Sequence, residues 1–199
     1  MVQCSYGNKI VARGEMMPIL QTERLLLRRF KLSDLNDFYE YAKDPAVGPD
    51  AGWDYHRNKD ESLFLLKKFV KSNEIWAIEL KENSKVIGSI GLHRDKKRDN
   101  KSVRMMGYVM NSQHWGLGYA TEASRRIISY AFEVLEIDLV SAYHYPHNDK
   151  SKSVILKCGM THEGVLKRAT VTYDGRVHDE HCYSITRDQY KNNLETTGV

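Results

Sequence analysis

The residues best suited to chemistry are Gln113-His114-Trp115-Gly116-Leu117-Gly118-Tyr119-Ala120-Thr121-Glu122-Ala123, where a strand-like run gives way to a helical one. Glycine reaches backbone conformations closed to other residues, so the pair permits a tight turn and a close approach to a ligand. The first amides of a helix have no acceptor within it and lie at the positive end of its dipole. A glycine turn feeding a helix therefore suits an anion such as a diphosphate. Two nucleotide fingerprints do not fit. The dinucleotide motif needs a third glycine where Thr121 stands, and the P-loop needs Gly-Lys-Ser/Thr, which is absent. On pattern alone the pair also reads as an ordinary helix start.

Other groups offer less. The segment from Ala46 to Asn58 is rich in Gly, Pro and Asp, yet holds Trp53, Asp54, Tyr55 and His56. Acidic and aromatic groups together can bind an ammonium, which makes Trp53, Tyr55 and His56 candidate substrate contacts; equally, the rings can cover a core edge. His114, His147, His162, His178 and His181 form no i, i+4 pair on a predicted helix and no three-ligand spacing, so no metal is expected. Cys4, Cys158 and Cys182 are an odd set without C-x-x-C spacing, which points to a reducing, cytoplasmic setting. Cys158, just before Gly159, reads as a packed small residue.

The elements that must position these groups follow from periodicity. Glu23 to Phe30 reads as a first strand, and Ser33 as the N-cap of a helix ending near Ala42, before Asp44-Pro45. Leu63, Leu66, Phe69 and Val70 recur at helical spacing between Asp60 and Lys71. Ile75–Leu80, Val86–His93 and Val103–Met110 read as a meander of strands joined by charged turns. Arg94, Lys96, Lys97, Arg98 and Lys101 on the second connector read as a solvated hairpin tip or as a contact for an acidic partner. A broad apolar stripe marks a helix from Gly118 to Leu135. Ile137 to Tyr143 reads as a strand, Ser151 to Cys158 as a short helix, and two closing strands flank Tyr173-Asp174-Gly175. The result is an α/β chain with a mixed, largely antiparallel sheet flanked by helices.

Size and charge bound the rest. At 199 residues with 41% hydrophobic content, one domain is the default. It is expected over residues 19–190, with 1–18 as an extension, translation starting near Met16 or Met17, and 191–199 as a tail. The 30 basic and 26 acidic residues are interspersed, giving +4, so a nucleic-acid partner is not expected. No run approaches the roughly 20 apolar residues that span a bilayer, and Met1 to Glu15 lacks a signal-peptide core, so no membrane partner is expected.

Gln113-x-x-Gly116-x-Gly118 resembles the Q/R-x-x-G-x-G/A signature of the GNAT superfamily of N-acetyltransferases, and the run Trp115 to Ala123 resembles its RimJ/RimL-like branch. Thr22-Glu23-Arg24-Leu25-x-Leu27-Arg28, Trp76-Ala77-Ile78, Ile87-Gly88-x-Ile90-Gly91, Asn148-x-x-Ser151 and Lys157-Cys158-Gly159-Met160 extend the likeness over most of the chain. The resemblance implies a GNAT fold whose sheet splays between strands four and five, those ending near Met110 and passing through Tyr143. Acetyl-CoA would be the cosubstrate. Val109 and Met110 would offer strand-edge contacts, and the amides of Leu117, Gly118, Tyr119 and Ala120 would hold the diphosphate beside Trp115. Gln113 would shape the turn, and Asn148 would bond the pantetheine arm. Relatives often dimerise, so a homodimer is compatible.

The resemblance further implies direct attack of an amine on the thioester, which requires a proton acceptor, oxyanion stabilisation and a proton for the leaving thiolate. Ser151 matches the position that bonds the CoA sulfur. The strand Val103–Met110 lacks the carboxylate several relatives carry, so a water chain toward Glu79, His93, His144 or Asp179 is the substitute, with Tyr108 serving the cleft or the core. The acceptor is a protein N-terminus or a small-molecule amine. The alternative is a CoA-binding module of the same fold without turnover.

Overall fold

Residues 17–197 are described by the computed structural model. Eight strands, β1 (Leu20–Gln21), β2 (Leu25–Arg28), β3 (Ile75–Leu80), β4 (Val86–Arg94), β5 (Val103–Met110), β6 (Leu139–His144), β7 (Thr161–Val171) and β8 (Val177–Thr186), join in one sheet. Their order is β1-β2-β3-β4-β5-β6-β8-β7. Every pairing is antiparallel except that of β5 with β6. Five helices complete the described chain: α1 (Leu35–Ala42), α2 (Lys59–Lys71), α3 (Tyr119–Glu133), α4 (Asp149–Lys157) and α5 (Arg187–Thr197).

The period-two rule of a strand divides the core between two faces. In β3, Trp76, Ile78 and Leu80 enter the cluster under α3 and α4, where Ile127, Ile128 and Ala131 meet them. Ala77, between them, joins Phe30, Phe38, Leu66 and Val86 under α1 and α2. Burial of Leu66, fully enclosed on α2, contributes about 1.5–3 kcal/mol. Asn58 caps α2 by accepting from the Glu61 amide at 3.0 Å.

One feature of the sheet matters for function. β5 and β6 pair only through Val103↔Leu139, Arg104↔Val140 and Met105↔Ser141. Beyond Met105 and Ser141 the strands part, while β5 stays fully zipped to β4 as far as Gly88↔Met110. The expected α/β class and the splay are thus observed, and a two-residue strand, β1, precedes the expected first strand.

Three expectations change, and a fourth falls mostly outside the described residues. Ser33 does not cap α1: Asp34 bonds the Lys31 amide at 2.7 Å while Arg28 grips both its oxygens at 2.9 Å. The expected tail is largely helical, since α5 runs to Thr197 and Tyr190 packs on Phe132 at 5.1 Å. The expected extension and start site lie mostly outside the described residues, but Met17 is buried and the Pro18 carbonyl accepts from the Trp76 indole at 2.9 Å. The β4–β5 connector is more than a solvated tip. Asp95 is wholly buried and accepts from Ser141 and Tyr143 at 2.7 Å and from Arg98 at 2.9 Å.

No helix among the described residues is long and apolar enough to cross a membrane.

Candidate active site

The parting of β5 and β6 opens a cleft of about 870 Å³. Its floor is β5 from Met105 to Met110, one wall is the Trp115–Thr121 turn with the first half of α4, and the other includes Trp53, Phe69 and Ile75. Main-chain direction along β5 follows from its contacts. The Arg104 carbonyl faces Ser141 on β6 and the Met110 carbonyl accepts from the Trp115 indole at 2.9 Å. The Val109 carbonyl instead faces β4, where it would lie 2.3 Å from a Cβ added at Gly88. Strand alternation therefore turns the main chains of Met106, Tyr108 and Met110 into the split. The expected edge contact from Val109 is corrected: the residue borders the cleft and packs against the core under α1 and α2, but its carbonyl faces the neighbouring strand.

The turn before α3 has the conformation its glycines allow. Gly116 and Gly118 have φ of +76° and +84°, in the left-handed region that other residues avoid. A Cβ at Gly116 would meet nothing within 4 Å, so open space and not packing surrounds it. Gly118 is the N-cap of α3 and supplies no side-chain bond, so the first amides of the helix find no acceptor among the described residues. Arg24 braces the turn from β2's side: it bonds the Leu117 carbonyl at 3.1 Å and Glu122 at 2.7 Å, and lies 4.3 Å over the Tyr119 ring. A free-donor cradle with room at the glycines fits a diphosphate.

Deeper in the cleft, the Tyr108 hydroxyl lies 3.0 Å from Ser151 Oγ and 3.3 Å from the Ser151 carbonyl. Burial pushes the Tyr108 phenol above its ordinary range, so it stays protonated at neutral pH. Ser151 is held because Asn148 caps α4, its amide oxygen accepting from the Ser151 N–H at 2.9 Å. The Asn148 amide also donates to the Asp50 carbonyl at 3.3 Å, tying α4 to the loop that carries Trp53. The Asn148 amide keeps a second N–H and a second lone pair beyond these two bonds, and it lines the cleft.

Met110, Trp115, Gly116, Gly118, Tyr119, Ala120, Asn148, Ser151, Tyr108 and Trp53 all line the cleft. Gln113 and Leu117 do not: the Gln113 side chain is exposed while its main-chain N–H donates to Asn111 Oδ1 at 3.0 Å, and the Leu117 side chain is exposed. Tyr55 is also exposed, while His56 sits between Phe38 and Trp53 and bonds Ser62 at 2.7 Å. Of the three loop aromatics only Trp53 reaches the cleft.

Asp179, one of the groups expected at the end of a water chain, does not line the cleft. Asp179 lies on the outer side of β8, paired with Lys167 at 2.9 Å and bonded by the Arg168 amide at 2.8 Å. Its neighbour Glu180 is buried and lines the cleft, held by Lys97 and Thr170. Successive strand residues point to opposite faces, and only the register Tyr143↔Cys182 reveals which one faces inward. Glu79 is consumed by Arg28. His93 and His144 both line the cleft; burial lowers His144, whose Nδ1 lies 2.8 Å from the Tyr145 carbonyl and whose ring stacks on His181 at 5.0 Å.

Residues 24–161 match the family described as Acetyltransferase (GNAT) domain. The chain is 28% identical over 177 residues to the uncharacterized N-acetyltransferase YoaA of Bacillus subtilis (strain 168), covering 86% of this chain and 98% of that one. A GNAT-family acetyltransferase from Bacillus anthracis has the same fold at a TM-score of 0.79 and 24% identity, over 86% of this chain and 99% of that chain. The Microcin C7 self immunity acetyltransferase MccE, whose structure is a complex with acetyl-CoA and AMP, matches at a TM-score of 0.72 and 22% identity, over 83% of this chain and 93% of that chain.

Proposed function

The chain belongs to the GNAT family of N-acetyltransferases, and from that premise we propose that it acetylates a primary amine, a protein N-terminus or a small molecule, by direct attack on acetyl-CoA. The observation that carries the reading is the split beyond Met105 and Ser141, which leads from the glycine turn before α3 to the Tyr108–Ser151 pair.

Bound in the cleft, acetyl-CoA would supply an activated acetyl thioester. The residues divide the remaining work. The amides of Gly118, Tyr119 and Ala120 meet the diphosphate, helped by the α3 dipole. The inward main-chain groups of Met106, Tyr108 and Met110 give an extended arm a strand edge to lie along. Ser151 Oγ donates toward the sulfur, and Tyr108 stands behind it to refill the proton. Since β5 offers no carboxylate, the amine loses its proton to another group of the cleft lining, with His93, His144 and Glu180 as the candidates.

The test is thiol release from acetyl-CoA across a panel of peptides and amines, paired with calorimetry of coenzyme A binding. Gly118→Asp, which places a side chain and a negative charge in a left-handed turn, should abolish binding. If coenzyme A does not bind the unaltered protein, or Gly118→Asp leaves binding untouched, the reading fails. Binding without thiol release from any acceptor would favour the module without turnover.

A further inference from the structure

A lysine of the protein already occupies a place built to recognise an amine. The Lys97 ammonium, on the β4–β5 connector, contacts the Glu180 carboxylate and lies 4.1 Å from the centroid of the Tyr143 ring. A carboxylate facing an aromatic ring is a matched pair for a primary ammonium: one accepts a charge-assisted hydrogen bond, the other attracts the cation through its quadrupole. Glu180 and Tyr143 both line the cleft.

The two recognising groups keep partners of their own without the lysine. Thr170 holds the other Glu180 oxygen, and the Tyr143 hydroxyl donates to the wholly buried Asp95 at 2.7 Å. Arg98, the other nearby cation, is engaged by Asp95 and Glu163 and leaves Glu180 alone. Lys97 arrives on a flexible stem that is 29% exposed, and burial of its ammonium pushes its pKa below the ordinary range. Displacing it costs little geometry, because neither the carboxylate nor the ring has to move.

We propose that Glu180 and Tyr143 form an alkylammonium subsite of the cleft, filled by Lys97 in the free protein and by an acceptor's ammonium when one binds. The occupant sets the ligand class: an unbranched primary alkylamine, shaped like the end of a lysine side chain. This assignment rests on the acetyl-transfer reading for its meaning, but the subsite itself binds without turnover.

The test uses Lys97→Ala and Lys97→Met, the second keeping the stem without the charge, with n-butylammonium as probe. Each variant should melt below the unaltered protein, and n-butylammonium chloride should restore the melting temperature saturably where sodium chloride at equal ionic strength does not. Adding Glu180→Gln should remove that rescue. In thiol-release kinetics the KM for n-butylamine should fall about tenfold in Lys97→Met, as expected on removing an internal competitor that fills the subsite about nine-tenths of the time, with the KM for acetyl-CoA unchanged. No rescue together with an unchanged KM for n-butylamine overturns the subsite. Rescue in a protein that never releases thiol would leave the subsite standing and bring down the acetyl-transfer reading instead.

Discussion

The Tyr108 hydroxyl lies 3.0 Å from Ser151 Oγ, joining a strand and a helix start that are 43 residues apart. The pair sits where the split in the sheet is widest in chemical consequence, because a leaving thiolate needs a proton from a group that still carries one. Tyr108 does, since burial keeps its phenol protonated. Tyr108→Phe and Ser151→Ala should each lower kcat roughly 100-fold, the lower end of the range for general-acid steps, and the double variant should be little worse than either single one. Steady-state thiol release measures this; a fall in KM for acetyl-CoA binding with kcat intact would contradict it.

Arg24 should matter for binding though it lies outside the cleft wall. It holds the Leu117 carbonyl and the Glu122 carboxylate, and covers Tyr119, so the turn before α3 is braced from β2's end. Arg24→Ala frees that turn, and coenzyme A affinity should fall about three- to tenfold while kcat at saturation is kept. Calorimetry alongside saturation kinetics separates the two effects; an equal drop in kcat would assign Arg24 a different role.

Local signals made some parts of this fold legible and not others. The stripe of α3 and the strands β3, β4 and β5 were readable because their periods run through many residues in succession. Strand β1 is two residues long and carries no period, and α5 has few apolar residues apart from Tyr190 and Leu194 to announce it. At the site, the glycine turn is readable from spacing and family likeness, whereas Asp179 and Glu180 cannot be told apart. Nothing local says which of two adjacent strand residues faces inward; the pairing of β8 with β6 decides it. Lys97 and Arg98 stay ambiguous in the sequence for a related reason. A run of cations looks solvated until Asp95, Glu163 and Glu180 are brought to it from three separate segments.

Asp95 anchors that folded-back connector, and its loss should be felt in stability. Burial alone would raise its pKa, but donors from Ser141, Tyr143, the Lys97 amide and Arg98 outweigh this and hold it below the ordinary range. Asp95→Ala leaves Arg98 and two hydroxyls short of a partner. The loss should be about 3–5 kcal/mol, read by urea denaturation. Asp95→Asn keeps acceptor capacity and should cost less than Asp95→Ala; the reverse order would mean that packing and not bonding dominates there.

Stability should also decline as pH falls, in two stages whose sign follows from the shifts. Burial lowers His56, His114 and His144 from an ordinary value of 6.5, so on acidification the unfolded chain takes up protons before the folded one. Their contribution is present above about pH 6.5 and is lost as pH falls toward their folded values. Glu40, held low chiefly by Lys85, and Glu122, held low by Thr22 and Arg24 against the opposing effect of burial, behave alike further down. Their contribution is present above about pH 4.5 and is lost below it. Denaturation at intervals between about pH 7.5 and about pH 4 should therefore give a falling curve with a first step near the histidine range. His144→Phe keeps a ring beside His181 and Tyr183 while removing the titration, and should flatten that first step. An undiminished first step in His144→Phe would place the effect on the other two histidines, and a curve rising on acidification would contradict the assignment of all three as buried and neutral.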